Sequence, residues 1–410
     1  MKWSDKKIVY FFTGTYPYGT IETFIENEII YLSNVFDKVI IVPTTSTKQR
    51  RKLPSNVIVD DGLSEMFRKK NRKLKNFFTF STLKALLYDW KYLHSIAAIR
   101  RINSFGSDAK QAYNWLKKNE VNNALVYTYW LNGKTHGALN YKLKLQKNIK
   151  VISRAHGYDL YNYRHNPSFW PYRQKTLQLI DRLYVISLDG KKYLELNYKT
   201  KNNIVVSRLG VVDKGTLGET SKDNILRILS IANFNKVKRI PLLYENLLKY
   251  AIDNPNARFQ WIHFGSGDGM EDLKKKIESN NIDNLHVDLK GRVSNKFIYD
   301  YLSKEPIDVF INVSESEGLP VSIMEVQSFG KFVIATNVGG SKEMIFKGLG
   351  YLLDKNFSYK DFKQAIDYFN SNLFMIQKKA PQIRGKCLQA YDGSKNFNMF
   401  ANDILNLLDE

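Results

Sequence analysis

The sequence has 410 residues, 43% hydrophobic and 13% aromatic, which excludes a disordered chain and is too long for one ordinary domain. A single cysteine, Cys387, excludes a disulfide framework and a cysteine-based zinc finger. The formal net charge is +22 and sits unevenly: residues 1–200 hold 34 Lys/Arg against 15 Asp/Glu, and residues 201–410 hold 28 against 25.

In chain order, short β-branched and aromatic runs alternate with longer amphipathic stretches. Strands are predicted over Ile8–Phe12, Val39–Pro43, Ala124–Trp130, Val151–His156, Arg182–Ile186 and Ile204–Arg208. A second set follows over Ile225–Ala232, Phe259–Phe264, Leu285–Leu289, Val309–Val313, Phe332–Thr336 and Gly350–Leu353. Helices are expected between them, among them Ile21–Leu32, Ile240–Ala251, Glu271–Ile277 and Lys360–Phe369, with Phe397–Leu408 last. This alternation predicts parallel sheets with crossover helices, and the near-continuous apolar runs suit strands covered on both faces. A dozen strands exceed one ordinary sheet. The reading is therefore α/β, with two doubly wound Rossmann-like domains. They span 1–208 and 223–390, joined by a glycine-bearing linker at 209–222, and 391–410 forms a terminal helix expected to return to the first domain. The N-terminus carries no signal-peptide core, and no uncharged apolar run approaches the ~20 residues of a membrane span. A cytoplasmic protein is expected.

The densest charge is Arg68, Lys69, Lys70, Arg72, Lys73 and Lys75, followed by Phe77, Phe78 and Phe80. Three readings fit: a solvated surface helix, attachment to an anionic membrane surface, or nucleic-acid binding. No helix-turn-helix, zinc or RNA-recognition signature accompanies the third, and no nucleic-acid partner is expected.

The most informative segment runs from Ser314 to Glu325 and reads Ser-Glu-Ser-Glu-Gly-Leu-Pro-Val-Ser-Ile-Met-Glu, directly after a predicted strand. Pro320 suits the start of a helix. Glu317 then lies in the loop at the strand's C-terminal end and Glu325 on the helix. Five helical residues rise roughly 8 Å, so the two carboxylates would reach different parts of one elongated ligand. The free amide N–H groups of Gly318 and Leu319 would point at the same ligand.

Glu317 to Glu325, followed by Val338-Gly339-Gly340-Ser341-Lys342-Glu343, resembles glycosyltransferase family 4, and the two glutamates match its E-x7-E motif. The resemblance covers most of the chain and is most specific between 230 and 345. It implies a retaining enzyme of the GT-B fold, two domains facing across a cleft, that uses a nucleotide-sugar donor. It implies that Glu325 holds the ribose, and that Glu317 faces the transferred sugar beside Gly318, Leu319 and Pro320. Lys238 matches the diphosphate lysine. Gly265 and Gly267 match a glycine turn near the diphosphate, and Arg292 and Val293 match the segment that reads the nucleobase. An arginine usual in the family is Asn233 here, so Arg239 or Lys236 is expected to replace it.

In the first half, Gly14 to Phe24 resembles the family's N-terminal glycine loop and offers Gly19 and Thr20 to the acceptor. Ser153-Arg154-Ala155-His156-Gly157-Tyr158-Asp159 resembles a segment near the transferred sugar, giving His156 a place in the catalytic set and Arg154 and Asp159 acceptor-side places. No Asp-x-Asp, the usual manganese anchor of the other large glycosyltransferase fold, occurs. A departing nucleoside diphosphate needs a cation clamp or a metal. Lys238 with turn and helix amides could supply the clamp, so no metal and no cofactor are expected beyond the nucleotide-sugar co-substrate. The expected acceptor is a saccharide or a lipid-linked saccharide at the inner face of the cell membrane, in surface-polysaccharide biosynthesis. The competing readings are a GT-B nucleotide-sugar epimerase, a glycoside hydrolase and a basic binding protein with a degenerate donor site.

Overall fold

A computed structural model of the chain describes residues 6–19, 22–68 and 87–410. The basic and aromatic run from Lys69 to Leu86, and Thr20 with it, lie outside the described residues. The chain divides into two compact units, Met1–Arg208 with Lys395–Glu410, and Leu209–Ser394.

The first unit is built on seven parallel strands: β1 (Ile8–Thr13), β2 (Lys38–Pro43), β3 (Val57–Val59), β4 (Ala124–Thr128), β5 (Ile149–Ala155), β6 (Arg182–Val185) and β7 (Ile204–Val206). Their order is β3-β2-β1-β4-β5-β6-β7. Alternation along β1 sorts its side chains to two cores. Phe12 joins Val42, Val126 and Trp115 in one core, while Val9 and Phe11 join Ile41 and Tyr127 in the other. Both faces are covered, which is why these strands are apolar at almost every position. The three-residue β3 has no periodic signal in the sequence and was not expected.

The first helix is Ile25–Val35, four residues later than predicted. The cause is Glu22. Its carboxylate turns back to accept the N–H groups of Gly14, Thr15 and Tyr16, so residues 22–24 form a turn in which Ile25 N–H donates to the Glu22 carbonyl. Side-chain capping of that kind competes with helix continuation.

The second unit holds β8 (Ile225–Ile231), β9 (Arg258–Phe264), β10 (Leu285–Gly291), β11 (Val309–Asn312), β12 (Phe332–Thr336) and β13 (Gly350–Leu353). These are parallel in the order β10-β9-β8-β11-β12-β13. Its core gathers Trp261, Val309, Ile334 and Phe369. Each unit is thus a doubly wound Rossmann-like sheet. Strand order reverses between β1 and β4 in the first and between β8 and β11 in the second, and such reversals open crevices beyond the strands' C-terminal ends.

The last helix, Gly393–Asn406, leads into the terminal residues of the first unit. Phe400, Ala401, Ile404, Leu407 and Leu408 recur at helical spacing and are buried in the core of β1, β2 and β4. No helix among the described residues is long and apolar enough to cross a membrane.

One ion pair lies wholly inside this core. Arg154 Nη2 meets Glu28 Oε2 at 3.1 Å, with side-chain exposures of 0% and 1%. Tyr127 donates its hydroxyl to Glu28 Oε1 at 2.7 Å, and Arg154 donates to the Tyr127 oxygen at 3.1 Å and to the Ser207 carbonyl at 2.9 Å. Phe400 lies under the guanidinium at 4.1 Å. Burial opposes the charge on Arg154, but Glu28 outweighs it and holds the guanidinium's pKa above its ordinary value. Arg154, expected at the acceptor side, is instead seated in the core with its donors spent on protein groups. Removing one member of a buried pair leaves the other charge uncompensated. Glu28→Ala should therefore destabilise the protein by about 3–5 kcal/mol in urea unfolding, and Glu28→Leu with Arg154→Met should recover most of that loss.

Candidate active site

The C-terminal ends of the second sheet bring together the loops singled out by sequence. At the β8/β11 reversal, Glu315 N–H donates to the Val237 carbonyl at 2.7 Å, joining the loop after β11 to the loop after β8. Lys238 ends a short 3-10 turn, Lys236–Lys238, capped by Asn235. Its ammonium donates to Glu317 Oε1 at 2.6 Å, and Asn312 Nδ2 donates to the same oxygen at 3.2 Å. Burial alone would raise the Glu317 carboxyl, but the Lys238 charge and these hydrogen bonds hold it below its ordinary range, so it is ionised. An ammonium carries three donors, so Lys238 keeps capacity for an anionic ligand.

Behind Glu317 the chain is fixed by glycine. Gly340 N–H donates to the Gly318 carbonyl at 3.0 Å. A Cβ on Gly339, whose φ is +49°, would lie 1.9 Å from the Glu317 carbonyl oxygen. Val338-Gly339-Gly340 is thus a backbone brace for the glutamate loop. The amide N–H groups of Gly318 and Leu319 find no acceptor among the described residues. Leu319 is buried, and Pro320 caps the helix Val321–Ser328.

Glu325 lies on that helix, 4% exposed. Its carboxylate has no hydrogen-bond or ion-pair partner among the described residues. Burial alone pushes its pKa up to about 8. The two glutamates of one motif therefore hold opposite states: Glu317 charged and clamped, Glu325 neutral and unmatched.

The turn after β9 needs its glycine. Gly265 has φ of +148°, and a Cβ there would sit 1.8 Å from the Ala232 carbonyl oxygen. Its N–H donates to the Gly291 carbonyl at 2.8 Å, and Phe234 N–H donates to the Ser266 carbonyl at 3.1 Å. These bonds set Gly265–Gly267 beside the end of β10, where Arg292 is exposed and Val293 half-buried, and beside the exposed Asn233. Arg239, one of the two residues expected to replace the arginine usual at position 233, is tied to protein carbonyls. Its guanidinium donates to the carbonyls of Val313, Lys355 and Ser314 and packs on Phe357. Lys236 is exposed and has no side-chain partner among the described residues.

In the first unit, Gly19 accepts a hydrogen bond from Arg51 at 2.5 Å. Asp159 is buried and accepts the N–H groups of His156 and Leu131, each at 2.6 Å. It braces two loops. His156 is buried between Tyr129 and Trp130, with ring centroids at 4.6 and 4.7 Å, and neither ring nitrogen has a hydrogen-bond partner among the described residues. Burial and the Arg154 charge lower its pKa well below the ordinary value, so the ring is a neutral imidazole. The sequence reading missed Trp130, Asn132 and Trp170, which with Gly14 line a cavity of about 280 Å³. The signal that would have found two of them is position: Trp130 and Asn132 follow β4, at the reversal of strand order. Among the described residues, no three His, Cys, Asp or Glu side chains are grouped to hold a metal ion.

Residues 217–381 match the family described as Glycosyl transferases group 1. Among curated proteins, the chain is 27% identical over 233 residues to the O-antigen biosynthesis glycosyltransferase WbnH of Escherichia coli. That match covers 56% of this chain and 64% of WbnH, under two thirds of its length. Among solved structures, Staphylococcus aureus TarM with Fondaparinux, alpha-GlcNAc-glycerol and UDP aligns over 98% of this chain and all of its own, with TM-score 0.67 and 13% identity. HepE of Anabaena in complex with UDP aligns over 98% of this chain and 99% of its own, with TM-score 0.63 and 14% identity. These likenesses run the length of the chain and give its fold as GT-B. The match to the group 1 glycosyl transferases falls within the second unit.

Proposed function

We propose that the protein is a retaining, metal-independent glycosyltransferase of the family 4 type. It would move a sugar from a nucleotide-sugar to a saccharide or lipid-linked acceptor in surface-polysaccharide assembly. One observation carries the reading: Glu325, a buried carboxylate without a partner among the described residues, on the helix that follows the loop of the clamped pair Glu317–Lys238 at the strand-order reversal of the matched domain. A carboxylate so placed lacks the donors that a ribose diol supplies. In this reading Glu325 accepts the ribose hydroxyls, and the Gly265–Gly267 turn and Lys238 face the diphosphate. Glu317 and the free amides of Gly318 and Leu319 hold the transferred sugar. The sugar–phosphate bond breaks as the bond to the acceptor oxygen forms on the same face, and the departing phosphate takes the acceptor's proton. Neutral His156 serves as a contact for the sugar. UDP in the TarM and HepE structures and the O-antigen role in the name of WbnH support the substrate class.

The acceptor falls to the first unit, working at the cytoplasmic face of the membrane. The basic run ending at Lys75 supports this, as do the exposed Leu87, Trp90 and Ile96 that follow it in the chain. Apolar side chains beside clustered cations suit an anionic interface.

The deciding experiment is a thermal-shift panel of UDP, GDP, ADP and CDP. One nucleotide should stabilise the wild type, and silence from all four would overturn the donor site. Glu325→Ala should weaken that nucleotide by roughly 1.5–3 kcal/mol in calorimetry. Lys238→Ala should lower kcat on the order of 10²-fold or more, because Glu317 loses its partner and the diphosphate its cation. Glu325 also sets a pH signature. Its folded pKa, about 8, lies above its ordinary 4.5. Stability is then fully present below about pH 4.5 and falls as pH rises to about 8, by up to about 1.4 kcal/mol per unit. Glu325→Gln should abolish that slope, so its urea midpoint gains on the wild type between pH 5.5 and 8.

A further inference from the structure

His263 is a titratable side chain sealed inside the second unit, 0% exposed and near the end of β9. A polar group buried in a sheet covered on both faces must bring its partners with it. The indole N–H of Trp261 donates to Ser230 Oγ at 2.9 Å, and that oxygen lies 2.8 Å from His263 Nδ1. An indole only donates, so Ser230 is its acceptor and keeps one proton of its own to give. No other acceptor for that proton is found among the described residues. The chemistry therefore assigns the Ser230 hydroxyl as donor to Nδ1, which places the ring's proton on Nε2. Burial pushes the imidazole's pKa down to about 4, so the ring carries that one proton and no charge.

The Nε2 edge of the ring faces the glycine turn. A Cβ on Gly265 would lie 3.1 Å from Nε2 and 1.8 Å from the Ala232 carbonyl oxygen. That carbonyl is the acceptor presented to the Nε2 proton, although the contact falls short of full hydrogen-bond geometry. It receives no backbone N–H among the described residues. The ring also packs edge-on against Phe234, with centroids 5.1 Å apart. A Cβ on Gly267 would sit 2.5 Å from the Phe234 carbonyl oxygen. The turn thus rests on Ala232 at Gly265 and on Phe234 at Gly267, and one imidazole supports both. Gly265 gives its N–H to Gly291, while the N–H groups of Ser266 and Gly267 find no acceptor among the described residues. The direction of those two amides follows from what lies beneath them. A hydrocarbon side chain in place of the imidazole would fill the space but leave the Ser230 hydroxyl and the Ala232 carbonyl unmatched.

We infer that His263 is a positioning residue of the diphosphate site: through Ala232 and Phe234 it sets the Gly265–Gly267 turn so that the amides of Ser266 and Gly267 meet phosphate oxygens. The inference rests on the proposed nucleotide-sugar site, which gives this turn to the diphosphate. It adds a buried relay, Trp261 to Ser230 to His263, that anchors the anion site in the sheet. It also makes the phosphates, rather than the base or the ribose, the part of the ligand that depends on the relay.

Binding of UDP, GDP, ADP and CDP and of their nucleosides to the full chain tests it, by calorimetry and NMR titration. For the base that binds, His263→Leu should weaken the diphosphate roughly tenfold and leave the nucleoside within about twofold. His263→Gln, whose amide carries an N–H near the place of Nε2, should restore most of the loss. Ser230→Ala, milder for the fold, should weaken the diphosphate selectively by roughly threefold, and it decides the matter if His263→Leu does not fold. A loss shared equally by diphosphate and nucleoside, no loss in either variant, or no rescue by glutamine would overturn the inference. In each of those results the wild type still binds a nucleoside diphosphate, so the donor reading stands. A wild type that binds none of the four diphosphates overturns both.

Discussion

A carboxylate buried in a protein must find donors or give up its charge, and this molecule is arranged around that rule. Glu28 has Arg154 and Tyr127. Asp308 has Ser221 and the Arg227 amide. Glu22 collects amides from the first loop and an indole, Asp159 collects two more amides, and Glu317 has Lys238 and Asn312. Each solved acid ties two segments together: a helix to a sheet, a loop to a strand end, one loop to the next. Glu325 obeys the rule the other way and keeps its proton. Where the fold satisfies its acids it gains rigidity, and where it leaves one unmatched it leaves room for a ligand.

The two units apply one topology to different surroundings. Both sheets reverse strand order once, and both present their loop chemistry at that reversal. In the second unit the loops are polar and glycine-rich, so backbone amides come forward. Gly265 and Gly339 earn their place by close approach, since any side chain there would overlap a carbonyl. In the first unit the corresponding loops carry Trp130 and Glu22, and the crevice is walled by rings. Amides suit phosphate and hydroxyl groups, whereas rings suit an apolar face.

Much of this was legible in the sequence, for reasons that can be stated locally. The alternation of apolar runs and amphipathic stretches gave both sheets, because parallel strands covered on two faces are apolar throughout. Glu317, Pro320 and Glu325 were readable because strand, loop and helix start are contiguous there. Other features depend on partners far away in the chain. Arg154 reads as a site residue beside His156, and only the approach of Glu28 and Phe400 identifies it as core. Arg239 reads as a free cation, and its ties to Val313 and Lys355 come from folding. The delayed first helix follows from Glu22 reaching back to residues 14–16. The aromatic cavity draws on β1, β4 and the segment near residue 170, a conjunction no local pattern contains.

Residues 395–410 belong to the first unit although 186 residues of the second intervene, Leu209–Ser394. During vectorial synthesis the first unit therefore cannot close when its own strands are complete. Its helix seat, waiting for Phe400, Ile404 and Leu408, stays open until those residues have been synthesised. The second unit, continuous in sequence, can mature meanwhile. A polypeptide cut short before Phe400 would leave that apolar groove of the first unit uncovered.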